Sequence, residues 1–196
     1  MIGLRRGDVR LFEHCKEWES EGERTVNELR EILGSDAVDI QHVGSTSIKS
    51  IRAKPIIDIA VGTDDFNRIL AHEAELLKAG YHYRPNQDMG GAQLLFACGS
   101  YYEGGDMQTH FIHVVKYNSM EWRNYINFRD YLNTYPEMAK QYENVKTGLV
   151  EKLGSMGSRN DYVDGKAEFI SRTLRKAMVW SFLGKTVTMD IDRPLG

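Results

Sequence analysis

The sequence predicts an α+β fold, and three observations carry that prediction. The chain opens on an amphipathic stretch, continues through short apolar runs of strand length, and from Asn118 to about residue 180 follows helical spacing. Its 196 residues suit one medium domain or one domain with a short appendage. We place the domain at residues 1–180 and a distinct tail at 181–196.

Each element has its own signal. Over residues 8–33, Val9, Phe12, Trp18, Val26, Leu29 and Leu33 follow helical spacing, and Gly34 supplies a stop. Residues 38–44 and 55–62 read as strands, with Pro55 at a strand start, where a missing N–H is tolerated. Asp64 and Asp65 open a helix that carries Ile69, Leu76 and Leu77 and stops at Gly80.

Three further strands are expected at Tyr81–Arg84, Gln93–Ala97 and Thr109–Val115. The turn-rich segments 86–91 and 99–106 between them allow antiparallel ribbons. In the helical half, Thr134-Tyr-Pro-Glu137 and Ser158-Arg-Asn-Asp161 have the spacing of capping boxes, the first with Pro136 in the first turn. Trp122, Tyr125, Phe128, Tyr131 and Tyr135 recur every three or four residues, which reads as a core stripe. Phe169, Ile170, Leu174, Ala177 and Met178 give the last helix its apolar face.

Bulk composition narrows the function. Lys and Arg total 25 against 28 Asp and Glu, a formal net charge of −3, which gives no support to nucleic-acid or anionic-membrane binding. No apolar run reaches membrane-spanning length and the N-terminus lacks the apolar core of a signal peptide, so the cytoplasm is the expected location. Cys15 and Cys98 lack metal-ligand spacing and read as two reduced thiols. The expected partner is a small-molecule or nucleotide substrate. Self-association into a homo-oligomer stays open.

The run from His42 to Val61 carries the chemistry. Gly44 lets the backbone approach an oxyanion, and the hydroxyls of Ser45 and Thr46 can bind phosphate oxygens. Lys49, Arg52 and Lys54 follow within ten residues and can reach the same anion. Asp58 then sits inside an apolar strand, where an ionised carboxylate needs a cleft, a cation or a metal.

In Thr109–Val115, strand alternation puts His113 and Phe111 on one face and His110 and Ile112 on the other. His42, Asp58 and His113 could converge at adjacent strand ends. Such a mixed imidazole and carboxylate set suits Mn²⁺ or Zn²⁺ better than a pure Mg²⁺ cage. Glu103 and Asp106, in a glycine-rich loop, are the nearest acids to the histidine strand. Tyr162 and Lys166 share a helix face at i, i+4, as a surface pair or as a cleft-facing phosphate contact.

Taken together, His42-Val-Gly-Ser-Thr-Ser47, Ala53-Lys-Pro-Ile-Ile-Asp-Ile59 and Thr109-His-Phe-Ile-His-Val-Val115 resemble the signature of the GrpB family. Phe128-Arg-Asp-Tyr-Leu132 and the Tyr162, Lys166, Phe169 helix resemble its C-terminal half. The resemblance covers roughly residues 8–178. It implies the nucleotidyltransferase superfamily, with a short mixed sheet flanked by helices.

In that superfamily a Gly-Ser turn holds a nucleoside triphosphate, and strand carboxylates hold a divalent metal ion (Mg, Mn or Zn) for nucleotidyl transfer. Gly44 and Ser45 match the turn, with Thr46, Lys54 and Lys166 in support. Asp58 matches the first carboxylate. The usual second carboxylate falls on Ala60, and the third strand offers His113 instead of an acid.

The expected function is therefore metal-dependent nucleotidyl transfer to a small acceptor, with Asp58 and His113 catalytic and His42, Asp58 and His113 holding the ion. A non-catalytic nucleotide-binding or interaction domain and a metal-dependent phosphoesterase are the alternatives. The tail from Gly184 to Gly196 resembles the first strand of an inorganic-pyrophosphatase-like domain.

Overall fold

A five-stranded mixed sheet, helical on both faces, forms the centre of the molecule. The computed structural model describes residues 1–88, 91–153 and 159–185. The capping box expected at Ser158 and nearly all of the Gly184–Gly196 tail lie outside them. In chain order the strands are β1 (Leu4–Arg5), β2 (Asp39–Val43), β3 (Ile57–Thr63), β4 (His82–Tyr83), β5 (Gln93–Cys98), β6 (Met107–Gln108) and β7 (His110–Lys116). The helices are α1 (Lys16–Leu33), α2 (Phe66–Ala71), α3 (Glu73–Lys78), α4 (Met120–Thr134), α5 (Pro136–Leu153), α6 (Arg159–Gly165) and α7 (Ala167–Phe182).

The sheet order is β2-β3-β7-β5-β4, and β1 pairs separately with β6. The β3–β7 pair is parallel and the other pairs are antiparallel. The two turn-rich segments join β4 to β5 and β5 to β7 as the antiparallel ribbons expected from sequence.

One face of the sheet packs on α1, α2 and α3. Ile57, Ile59 and Val61 of β3 and Ile112 and Val114 of β7 meet Trp18, Leu29 and Leu33 of α1 in the main core. Burial of these branched chains stabilises the fold by about 1.5–3 kcal/mol each. On the other face Val43, Ala60 and Val115 pack on Trp122 of α4. A second core of Ile48, Ile51, Tyr131, Leu132, Tyr142, Phe169 and Trp180 joins α4, α5 and α7 to the connector between β2 and β3.

Several boundaries differ from the sequence expectation. The first helix starts at Lys16, not residue 8. Phe12 instead exchanges backbone hydrogen bonds with Ala53 at 2.8 and 3.0 Å, which pins the basic connector to the N-terminal segment. The helix expected from Asp64 to Gly80 is capped by Asp65 as predicted, but it breaks into α2 and α3 at His72, whose imidazole lies 3.0 Å from Asp36.

Thr134 does not cap α5. It ends α4, and its hydroxyl donates to the Asp130 carbonyl at 2.8 Å. Pro136 does open α5. The expected boundary at residue 180 falls inside α7, which continues to Phe182. Lys185 beyond it pairs with Asp130 at 2.7 Å.

Candidate functional site

Strand register brings Asp58 and His113 together. Asp58 lies opposite Val43 on one side and Phe111 on the other, while His113 lies opposite Ala60. All of these point to the face covered by α4, because alternate residues share a face. His113 Nε2 reaches Asp58 Oδ1 at 3.2 Å. The imidazole is therefore carried on the strand position beside Ala60. The other ring nitrogen, Nδ1, is buried without a hydrogen-bond partner. Tyr125 tilts against the ring at 5.0 Å, and burial, then the Asp58 charge, raises its phenol pKa.

The Gly44–Ser45 turn closes one side of this pair. Gly44 has φ 71°, and a Cβ there would collide with the Asp58 carboxylate, so this position requires glycine. A 3₁₀ turn over Ser45–Ser47 follows. It is fixed from above by α4 and α5. Asn133 donates to the Ser47 carbonyl at 2.9 Å, Arg129 donates to the His42 carbonyl at 2.9 Å, and the Ser45 hydroxyl lies 3.4 Å from the Tyr142 hydroxyl.

Two adjoining hollows meet at this point, sharing Ser45, Asp58 and Lys166. The first, about 250 Å³, also takes in Gly44, His113, Tyr125, Phe128 and Tyr142. The second, about 130 Å³, takes in Lys54, Phe111 and Tyr162. The Lys54 and Lys166 ammonium groups lie 5.2 and 5.1 Å from the centre of the Tyr162 ring, so both cations border one wall. Gly44, Ser45, Lys54, Asp58, His113 and Lys166 thus border one cleft.

His42 and Thr46 do not join them. His42 pairs with Ile59, which puts its ring on the opposite face of the sheet, packed over Gly22 of α1. Burial drives its pKa down to about 4, so the ring is neutral at pH 7. Its Nε2 lies 3.0 Å from the Thr46 hydroxyl, which also donates to the Ile56 carbonyl at 3.3 Å. Thr46 is 1% exposed, so its hydroxyl serves the turn instead of a ligand. The expected His42–Asp58–His113 set is therefore not assembled, because His42 lies on the other face of the sheet from Asp58 and His113. Among the described residues, no three His, Cys, Asp or Glu side chains are grouped to hold an ion.

The other acids and histidines are placed elsewhere. His110 packs on Glu21 of α1, Glu103 approaches His82, and Asp106 pairs with Arg5. The basic connector is held by Glu143, which accepts from the Arg52 backbone at 2.8 Å, from Arg52 Nε at 3.0 Å, and from Lys140. Burial alone would raise the Glu143 pKa, but these hydrogen bonds outweigh it and hold it at about 2. Buried Lys146 donates to the Arg52 carbonyl at 2.5 Å. Burial and the nearby Lys166 charge lower its pKa to about 7.

Sequence reasoning missed Asn124, Tyr125, Phe128 and Tyr142 as cleft residues. Tyr125 and Phe128 belong to the aromatic stripe assigned to the core. Trp122 and Tyr131 are indeed buried there, but the stripe is wider than the contact it makes. A stripe longer than one packing face was the available signal.

The architecture has relatives among solved structures. A Cid1 poly(U) polymerase crystal structure with Mg and 3′-dATP bound superposes with a TM-score of 0.51 at 15% identity, covering 79% of this chain and 49% of that one. This likeness is one of fold, and with the sheet topology it gives a nucleotidyltransferase-like α+β fold.

The chain belongs to the GrpB family, whose model matches residues 8–176. The glutamate-rich protein GrpB of Alkalihalophilus pseudofirmus is 36% identical over 177 residues, 90% of this chain and 99% of that protein. The crystal structure of conserved protein GrpB from Enterococcus faecalis superposes with a TM-score of 0.78 at 25% identity, covering 88% and 99% of the two chains. Among the described residues no helix is long and apolar enough to cross a membrane.

Proposed function

We propose that the cleft binds one nucleoside triphosphate with one divalent ion and transfers its nucleotidyl group to a small-molecule acceptor. The observation that carries this reading is the 3.2 Å approach of His113 to Asp58 beside the Gly44–Ser45 turn, with Lys54 and Lys166 on the facing wall.

The donor set fits one ion. Two ligands bound at about 2.0–2.2 Å stand roughly 3 Å apart, and Asp58 and His113 already have that spacing. It does not fit a two-Mg²⁺ arrangement, since Ala60 contributes no oxygen. A bound ion would offset phosphate charge at the reacting phosphorus. The mixed nitrogen and oxygen pair favours Mn²⁺ or Zn²⁺ over Mg²⁺.

The residues divide the remaining work. Ser45 and the backbone of the Gly44 turn hold phosphate oxygens, and Lys54 and Lys166 balance their charge. The acceptor hydroxyl oxygen bonds to the α-phosphorus. The bond from that phosphorus to the bridging oxygen breaks, pyrophosphate leaves, and the hydroxyl proton passes to solvent water.

A second reading, ligand binding without transfer, is favoured by Ala60 in place of the second carboxylate. One experiment separates the two. Protein, Mn²⁺ and α-labelled triphosphates are incubated with a small-molecule extract. Labelled product with pyrophosphate release, lost in Asp58→Asn, supports transfer. Tight triphosphate binding without release supports the second reading. No binding of any triphosphate with any divalent ion removes both.

A further inference from the structure

The cleft continues into an apolar groove that shares only Lys166 with the proposed phosphate chemistry. Asn124, Lys166, Ile170 and Leu174 line both the first hollow and this groove, so the two are continuous. The groove, about 430 Å³, runs between α4 and α7. Ile170, Leu174, Met178 and Phe182 recur every fourth residue along one face of α7. This is not the face that α7 buries, which presents Phe169, Thr173, Ala177 and Trp180. Met178 is 50% exposed and Met120, across the groove on α4, is 66% exposed. Flexible, polarisable methionines suit a surface that must fit a varied apolar ligand.

Charge narrows the occupant. Among the described residues the only charged side chains lining the groove are Lys166, at the cleft end, and Arg175, and both are basic. An apolar body carrying an anionic group complements that lining.

We infer that this groove is the acceptor subsite and that the acceptor is an amphipathic small molecule with an extended apolar body and an anionic group. The assignment rests on the transfer reading above. The acceptor's reactive end would lie by Asp58 and His113 and its apolar body along Leu174 and Met178.

The test is methyl-¹³C methionine NMR of the whole chain, titrated with laurate below its micellar concentration. The Met120 and Met178 signals, assigned by substitution to Leu, are expected to shift saturably with one laurate per chain. Met178→Asp and, separately, Met120→Glu, both at exposed positions, should weaken laurate at least ~10-fold by placing a charge against its chain. Arg175→Gln should weaken laurate but not uncharged dodecanol. Unmoved Met120 and Met178 signals, or unchanged affinity in both charged variants, overturn the assignment.

Asp58→Asn should keep laurate binding while losing triphosphate. Laurate binding in wild-type protein that binds no triphosphate overturns the transfer reading on which the assignment rests. Triphosphate binding without laurate binding overturns the assignment itself.

Discussion

His113 Nε2 lies 3.2 Å from Asp58 Oδ1 because parallel pairing of β3 with β7 sets His113 beside Ala60, two residues beyond Asp58. An imidazole thus reaches the carboxylate from the neighbouring strand. In the proposed site the ion's protein donors are one imidazole nitrogen and one carboxylate oxygen.

That mixed pair predicts ion selectivity. His113→Asp creates an all-oxygen donor pair and should shift ion preference from Mn²⁺ or Zn²⁺ toward Mg²⁺. Isothermal titration of each ion in the presence of a non-hydrolysable triphosphate measures it. An unchanged order of preference would show that His113 does not touch the ion.

Gly44 predicts a coupled loss of stability and binding. Gly44→Ala sets a Cβ against the Asp58 carboxylate at φ 71°. It should cost about 1–3 kcal/mol in urea unfolding and at least ~10-fold in triphosphate affinity. Gly104→Ala, also at positive φ (91°) but with open space at its Cβ, is the control. It should lose stability without losing affinity.

His42 predicts part of the acid sensitivity. Its folded pKa of about 4 lies below the ordinary value of 6.5, so below pH 6.5 the unfolded chain takes up the proton first. Stability is therefore complete above pH 6.5 and falls as pH drops toward 4. The two and a half units correspond to about 3 kcal/mol. His42→Gln, which keeps a polar partner for Thr46, should flatten this limb in urea titrations between pH 7 and 4.5. An equally steep limb in the variant would place the acid sensitivity elsewhere.

Glu143 predicts the cost of freeing the basic connector. Glu143→Gln leaves Arg52 and Lys140 without their carboxylate and should destabilise the protein by roughly 2 kcal/mol, less than a fully buried pair because both cations are partly exposed. The midpoint of urea unfolding reports it. A change below about 0.5 kcal/mol would mean that the Phe12–Ala53 bridge and the Lys146 bond to the Arg52 carbonyl hold the connector without Glu143.

Much of this was legible in the sequence because local pattern and register coincide. Strand alternation separated His113 from His110. The Gly44 turn and Asp58 share a site because a short connector leads from one strand to the next. His42 was misplaced because its face depends on pairing with Ile59, a long-range register that local spacing does not encode. Thr46 was misread because a hydroxyl beside a glycine can bond the turn itself as readily as a ligand. The start of α1 was extended by Val9 and Phe12, which have helical spacing but pair with the connector instead.

The most direct test of the central claim is Mn²⁺ binding followed by electron paramagnetic resonance, with a non-hydrolysable triphosphate present. The account predicts one Mn²⁺ per chain, bound only with the triphosphate at its full affinity. It also predicts nitrogen coupling from an imidazole that disappears in His113→Ala, and loss of the ion in Asp58→Asn. Equal Mn²⁺ affinity in wild-type protein and Asp58→Asn, or nitrogen coupling that survives in His113→Ala, would contradict it.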